Sequence, residues 1–272
     1  MRTLVFLLCL FFSIPAFAKD DAIYDRIMKS GTIHCGYSLW NPLTFVEPNT
    51  GEIKGIFHDL MEEAGKRLDL KIEWTEELGW GTVVESLQTG RVDMACAGYW
   101  LNPTRIKLVS TNAPQLYTPL VVWVRADEKR PFKTLTDLND PALITPEVDG
   151  GATNHVVDNM FPKTRRLNMP ESATHGDLVE SVLSGKVDFM VDDITSFMAY
   201  DKMNPGKLRV LFPDQAVSIL PATMLLPPDE PRLKEMIDGA FTLLELDGTL
   251  DRILERYGVE HLFLRNPRPA AR

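Results

Sequence analysis

The groups in this chain singled out for proton transfer, nucleophilic attack or metal binding are its five histidines, its three cysteines and the adjacent carboxylates Asp192 and Asp193. His34, His58, His155, His175 and His261 are scattered, none at metal-ligand spacing from another histidine or a cysteine. Asp192 and Asp193 would act as an acid/base pair only from one face, and consecutive residues at a strand end point apart. His34 reads as a structural strand residue and His58 as an exposed residue in the first turn of a helix. No glycine-rich dinucleotide loop, phosphate-binding Gly-Lys-Ser/Thr loop or Gly-x-Ser-x-Gly elbow occurs. The reading is a protein with no catalytic constellation, no metal site and no cofactor.

The elements that position these groups belong to an ordinary globular chain. It has 272 residues, 44% hydrophobic and 25% charged, which excludes disorder, collagen and a polytopic membrane protein. That length suits one large domain or two of roughly 100–150 residues, each able to bury a core. A net charge of -9 lacks the positive field that nucleic-acid binding needs, so no nucleic-acid partner is expected.

Residues 1–18 (MRTLVFLLCLFFSIPAFA) read as a cleaved signal peptide: Arg2, an apolar run and a small-x-small site at Ala16-Phe17-Ala18. The run is too short to span a bilayer and leads at once into Lys19-Asp20-Asp21. The mature protein is expected to be soluble and periplasmic, keeping Cys35 and Cys96 in an oxidising compartment.

Along the mature chain, 32–37 (TIHCGY) is a strand broken by Asn41-Pro42. Ile56, Leu60, Met61, Ala64 and Leu68 repeat as an amphipathic helix. Residues 71–74 form a strand, 83–87 a short helix and 92–97 a buried strand, the order of a parallel sheet with crossover helices. A second unit follows, with strands at 120–124 and 187–191, a loop at 162–166 and helical spacing over 177–183. Ser184-Gly185-Lys186-Val187-Asp188 echoes Thr89-Gly90-Arg91-Val92-Asp93, which suggests two domains of like topology. Apolar spacing from Leu233 to Leu254 gives one or two helices broken near Gly248, and the tail from Asn266 reads as frayed.

At this point the order of short motifs carries a resemblance over nearly all of the mature chain. It runs from Tyr24-Asp25-Arg26-Ile27-Met28-Lys29-Ser30-Gly31 through Asn41-Pro42-Leu43-Thr44-Phe45, Gly55-Ile56-Phe57-His58-Asp59-Leu60 and Leu87-Gln88-Thr89-Gly90-Arg91-Val92-Asp93. It continues in Asn102-Pro103-Thr104-Arg105 and Val187-Asp188, and closes with Asp247-Gly248-Thr249-Leu250 and Tyr257-Gly258. The chain resembles the periplasmic solute-binding proteins of polar amino-acid ABC transporters, family 3. The resemblance implies a two-lobed α/β fold of the type II periplasmic-binding-protein kind, each lobe a mixed, mainly parallel sheet flanked by helices. It places lobe 1 at 19–119, lobe 2 at 120–215 and the C-terminal completion of lobe 1, with the tail, at 216–272. Two hinge crossovers fall near Pro119-Leu120 and Asp214–Val217. Cys35 and Cys96 become sheet neighbours, so a disulfide and two separate buried thiols stand as alternatives.

The implied function is capture of an amino acid or betaine-like zwitterion in the interlobe cleft by a monomer that delivers it to a transporter permease. Arg105 falls where the family forks a guanidinium onto the ligand carboxylate, a geometry that lysine does not reproduce. Asp193 matches the carboxylate that receives the ammonium, a one-residue slip exchanging it with Asp192. Gly151 and Thr153 lie in a segment that closes over the carboxylate at a helix start. Trp40 and Trp80 fill the family's aromatic positions, with Tyr37 and Tyr99 close in sequence. Two positions after Gly98, Trp100 replaces a small hydroxyl residue, and Asn102 replaces a threonine. Up to three indoles then wall the cleft, unless Trp100 packs beneath its lobe, and such a wall suits bulky cationic, betaine-like or aromatic ligands.

Two alternatives accompany this reading. The stretch from Asp149 to His155, and Trp80, also resemble periplasmic cyclohexadienyl dehydratases, but His155 stands where that branch has its glutamate acid. The same fold also serves as a ligand-sensing input to membrane receptors.

Overall fold

The sequence periodicities resolve into alternating strands and helices in the computed structural model, which describes residues 21–265. The leader at 1–18 and the tail from Asn266 lie outside the described residues. The first lobe begins with α1 (Ala22–Ser30), β1 (Thr32–Tyr37), the hairpin of β2 (Phe45–Val46) and β3 (Ile53–Lys54), and α2 (Ile56–Leu68). The chain continues through β4 (Lys71–Glu77), α3 (Val83–Gln88), β5 (Met94–Trp100), β6 (Ser110–Thr111) and β7 (Leu116–Arg125). Next come β8 (Ile144–Val148), α4 (Ala152–Met160), β9 (Arg165–Met169), α5 (His175–Leu183), β10 (Phe189–Asp193), α6 (Ile194–Met203) and β11 (Leu208–Val210). β12 (Ser218–Leu226), α7 (Pro231–Leu246) and α8 (Thr249–Tyr257) complete the chain.

One 8-stranded sheet runs through the molecule in the order β10-β7-β12-β5-β1-β4, with β11 paired to β7 and β6 to β12. β1 is parallel to both β4 and β5, as the strand-helix-strand pattern demands. β7 and β12 are antiparallel to each other, Leu120 facing Ser218 and Leu116 facing Ala222. β10 joins the far edge of β7 antiparallel, and β8 pairs with β9 in parallel as a separate two-stranded sheet.

Burial divides the molecule in two along those long strands. One set of apolar clusters draws on residues from Ile27 to Leu116 and from Ala222 to Phe263. The other draws on residues from Leu120 to Val217. β7 therefore feeds Leu116 to one core and Leu120 to the other, two pleat repeats apart.

Local chemistry explains most boundaries. The buried face of α2 carries Ile56, Phe57, Leu60, Met61 and Ala64, the spacing seen in the sequence. α7 and α8 part at Gly248, whose φ of 74° is open to glycine at little cost. The strand expected at 92–97 starts instead at Met94, because the buried Asp93 carboxylate accepts from the His34 backbone N–H at 2.8 Å. The loop expected at 162–166 gives way to β9 from Arg165, paired to β8 in a register that alternating burial alone does not reveal. His58 is not exposed: its ring stacks on Trp74 with centroids 4.9 Å apart.

Cys35 and Cys96 form a disulfide between neighbouring strands, their Cα atoms 5.5 Å apart, inside the first lobe's core. The alternative of two separate thiols is thereby excluded.

Candidate ligand-binding cleft

Between the two cores lies a cavity of about 370 Å³. Its wall from the first lobe includes Leu39, Trp40, Trp80, Gly81, Trp100 and Arg105. Its wall from the second lobe includes residues 148–153 at the start of α4, Glu171, His175, Asp192, Ser196, Tyr200 and Met203.

Arg105 opens a single 3₁₀ turn just after β5, its backbone N–H donating 2.7 Å to the side-chain oxygen of Asn102. The residue is 8% exposed. Its guanidinium donates to the main-chain oxygens of Trp100 at 3.0 Å and Trp80 at 3.1 Å, and lies 5.8 Å from the Tyr99 ring centre. No carboxylate is paired with it among the described residues. A guanidinium has five N–H donors, so these two carbonyls fix its plane and leave donors for a ligand. Burial pulls its pKa below the usual arginine value, with the nearby Tyr99 hydroxyl acting the other way.

Across the cavity, Gly151 caps α4 with extended backbone, so the first-turn N–H groups around Thr153 lie at the wall. Helix starts of this kind favour anions.

Trp40 is held in a tight turn in which its backbone and that of Thr44 exchange hydrogen bonds of 2.7 Å in both directions. Its ring meets Trp100 edge to face at 4.7 Å and Trp80 at 6.3 Å. All three indoles line the cavity, Trp80 being 40% exposed, and Trp100 also packs on the second lobe's core. Trp40 meets each of the other two rings edge to face, and the three form an apolar wall.

Other expected site residues do different work. Tyr37 is outside the cavity, edge-on to Trp74 at 6.2 Å. Gly98 is also outside it: a Cβ there would lie 2.7 Å from Phe57, so the glycine is a packing requirement. Asn102 is absent from the wall and acts through the turn that carries Arg105.

Asp193 departs most from expectation. It is wholly buried and caps α6, accepting from the Ser196 N–H at 2.8 Å, the Ser196 hydroxyl at 2.6 Å and the Thr195 hydroxyl. Trp40 donates to the same carboxylate from the other lobe at 3.1 Å, and to Ser196 Oγ at 2.9 Å. Burial, with Asp192 beside it, pushes its pKa above the usual carboxylate range. The carboxylate on the cavity wall is Asp192, which lies 3.1 Å from His175 Nε2 and accepts the Asp193 N–H. Strand alternation explains the exchange: neighbours on β10 face opposite ways, and the pleat decides which one meets the cavity.

His175, Glu171, Ser196 and Tyr200 were missed because they come from two helices, α5 and α6, and a loop that meet only in the folded second lobe. The adjacent carboxylates Asp192 and Asp193 and the segment around Gly151 and Thr153 were the sequence signals that pointed to this wall. His155 is exposed on α4 and absent from the cavity wall, its ring 3.1 Å from the Asn159 amide.

A two-lobed α/β molecule with a buried, unpaired guanidinium in its interlobe cavity has the build of a small-molecule binding protein. The chain belongs to the bacterial extracellular solute-binding proteins, family 3, which it matches over residues 33–260. It is similar to glutamate-binding protein GluB of Corynebacterium efficiens, 31% identical over 173 residues, 62% of this chain and 56% of that one. The chain thus spans little more than half the length of that curated relative. Among solved structures, it resembles the ancestral amino acid-binding protein AncCDT-1, described as a precursor of cyclohexadienyl dehydratase. The two are 26% identical with a TM-score of 0.72, over 86% of this chain and 97% of that one. The structure of Tv2483 bound to L-arginine shares the fold, at 20% identity and a TM-score of 0.76, over 92% of this chain and all of that one. No described helix is long and apolar enough to cross a membrane.

Proposed function

We propose that this chain is an exported binding protein that closes two lobes around an amino acid or related zwitterion and delivers it to the permease of an ABC transporter. The observation that carries this reading is Arg105, buried at the cavity with two carbonyls and no carboxylate to answer its charge. A buried charge without a counter-ion is costly, and a ligand carboxylate supplies one. The helix start at Gly151 and Thr153 adds backbone donors for the same group. The indole wall takes the rest of the ligand.

In this reading the lobes are residues 19–119 with 216–272, and 120–215. β7 and β12 form the hinge, consistent with the change of core partner between Leu116 and Leu120. Residues 1–18 direct export, and the protein acts as a monomer. Lobe closure is the working step. Family membership and a glutamate-binding relative favour binding over catalysis. The dehydratase alternative lacks support at His155, which is exposed away from the cavity.

A thermal-shift screen across amino acids, betaines and polyamines, followed by calorimetry on the hits, tests the reading. Arg105→Ala is expected to cost about 3–5 kcal/mol of ligand affinity, as for a buried pair that loses one member. Unchanged affinity would remove Arg105 from the site. Production of phenylpyruvate from prephenate by the pure protein would replace binding with dehydration.

A further inference from the structure

The first lobe brings a cation to the cavity and the second brings the carboxylates. With Arg105 on the ligand's carboxylate, a zwitterion's ammonium needs an anion on the opposite wall. Three carboxylates line the cavity: Asp149, Glu171 and Asp192. Asp149 and Glu171 are exposed, Glu171 lying against Gly81 of the other lobe. Asp192 is the buried one of the three, 8% exposed. One of its oxygens accepts the Asp193 N–H at 2.8 Å and the other faces His175 Nε2 at 3.1 Å, so each keeps a lone pair for a further donor.

His175 is the partner that an incoming ammonium would share. Its ring backs edge to face onto Trp123 of β7 at 5.5 Å, and its side chain is half-exposed to the cavity. The charged groups around the cavity and on its own element are Asp192 and Asp193 from β10, Asp177 from α5, Asp149, Glu171, and Arg105 from the other lobe. α6 lines the same wall with Ser196 and Tyr200. Asp177 is tied to Thr174 and answers the positive end of α5. Burial weakens the hold of the imidazole on a proton, but the hydrogen bond to Asp192 and the charges of Asp192 and Asp193 raise it above the ordinary histidine value.

We propose that Asp192 receives the ligand's ammonium and that this second cation drives the proton off His175, so the chain binds an amino acid with release of a proton and more tightly as pH rises. This rests on the reading that the cavity takes a zwitterion. The imidazolium gives its Nδ1 proton to solvent, its Nε2–H stays on Asp192, and the ammonium N–H takes an open lone pair. One cation leaves the carboxylate as another arrives. Such coupling is reciprocal: the ligand weakens the proton by the factor that the proton weakens the ligand.

The test is calorimetry on arginine, glutamate, leucine and phenylalanine in phosphate and in imidazole buffers, whose different heats of ionisation count the protons released. For each amino acid that binds, about half a proton or more should be released at about pH 6.5 and almost none at about pH 8.5, with affinity rising about five-fold or more between them. Heats that do not depend on the buffer overturn the proposal. His175→Gln keeps a donor toward Asp192 without a titrating proton, and should bind with no release and a flat pH profile. Release that persists in His175→Gln belongs to the carboxylates and overturns the proposal. Asp192→Asn should weaken binding and abolish release; loss of release in Glu171→Gln with survival in Asp192→Asn would put the ammonium on Glu171 instead. Silence from the whole panel would count against the zwitterion reading itself. The pair is then judged by NMR titration of the His175 ring in methylammonium chloride and in sodium chloride of equal ionic strength: a lower midpoint in methylammonium supports a cation site on Asp192, and equal midpoints overturn it.

Discussion

His175 Nε2 lies 3.1 Å from the Asp192 carboxylate, joining the first turn of α5 to the end of β10 at the cavity wall. Burial by itself lowers a histidine pKa, but the Asp192 hydrogen bond and the charges of Asp192 and Asp193 outweigh it, and His175 is raised above 6.5. The folded state therefore holds this proton more tightly than the unfolded chain. Its stabilisation is complete below the ordinary histidine value and is lost as pH rises through the higher folded value. Asp193 acts in the same direction at lower pH, since burial and the neighbouring Asp192 raise it above the ordinary carboxylate value. The contribution of these two groups to ligand-free Tm should thus fall as pH rises, against the opposite contribution of carboxylates held low by their partners, such as Glu128 and Asp247. His175→Gln should flatten the upper part of that fall and Asp193→Asn the lower; profiles parallel to the parent would refute both assignments.

The Cys35–Cys96 bridge closes a loop of sequence separation 61 within the first lobe's core. Loop-closure entropy assigns such a bridge about 4 kcal/mol. Urea unfolding of a Cys35→Ser/Cys96→Ser double variant should show that loss. Adding reductant should move the parent midpoint and leave the variant's in place. An unmoved parent midpoint would mean the thiols are not bridged in solution.

Gly98 belongs to the packing of β5. The ring of Phe57, itself 1% exposed, occupies the space where a side chain would begin. Gly98→Ala should cost about 1–3 kcal/mol of stability by overpacking. Calorimetry on the folded fraction should find ligand affinity intact, whereas a selective loss of affinity would return Gly98 to the site.

The indole N–H of Trp100 is buried with no hydrogen-bond partner among the described residues. Removing an unsatisfied donor relieves a desolvation cost. Trp100→Phe is therefore expected to change stability by less than about 1 kcal/mol, far below an ordinary core aromatic truncation. A large drop in the unfolding free energy would show that the N–H has a partner in solution.

How much of this was legible in the chain varies by distance along it. Periodicity located β1, α2, α3, α5 and the helix break at Gly248, because each depends on neighbours within a few residues. Arg105, Trp40, Trp80, Trp100, Gly151 and Thr153 were recognisable from motif order and do line the cavity. α6 was unread, its apolar residues spread around the helix, and β9 was hidden in a stretch with a proline and three basic residues.

Motif order along the chain carried the resemblance to the family that the match over residues 33–260 shows, and it singled out Arg105, which the structure buries at the cavity. Tertiary structure alone decided which of Asp192 and Asp193 meets the cavity and that Trp40 spans the lobes to Asp193. It likewise decided that Tyr37 and Gly98 serve packing and that two cysteines pair. Those outcomes depend on strand pleat and on atoms distant in sequence coming within 3–4 Å, and no pattern along one strand of chain encodes a distance across the fold.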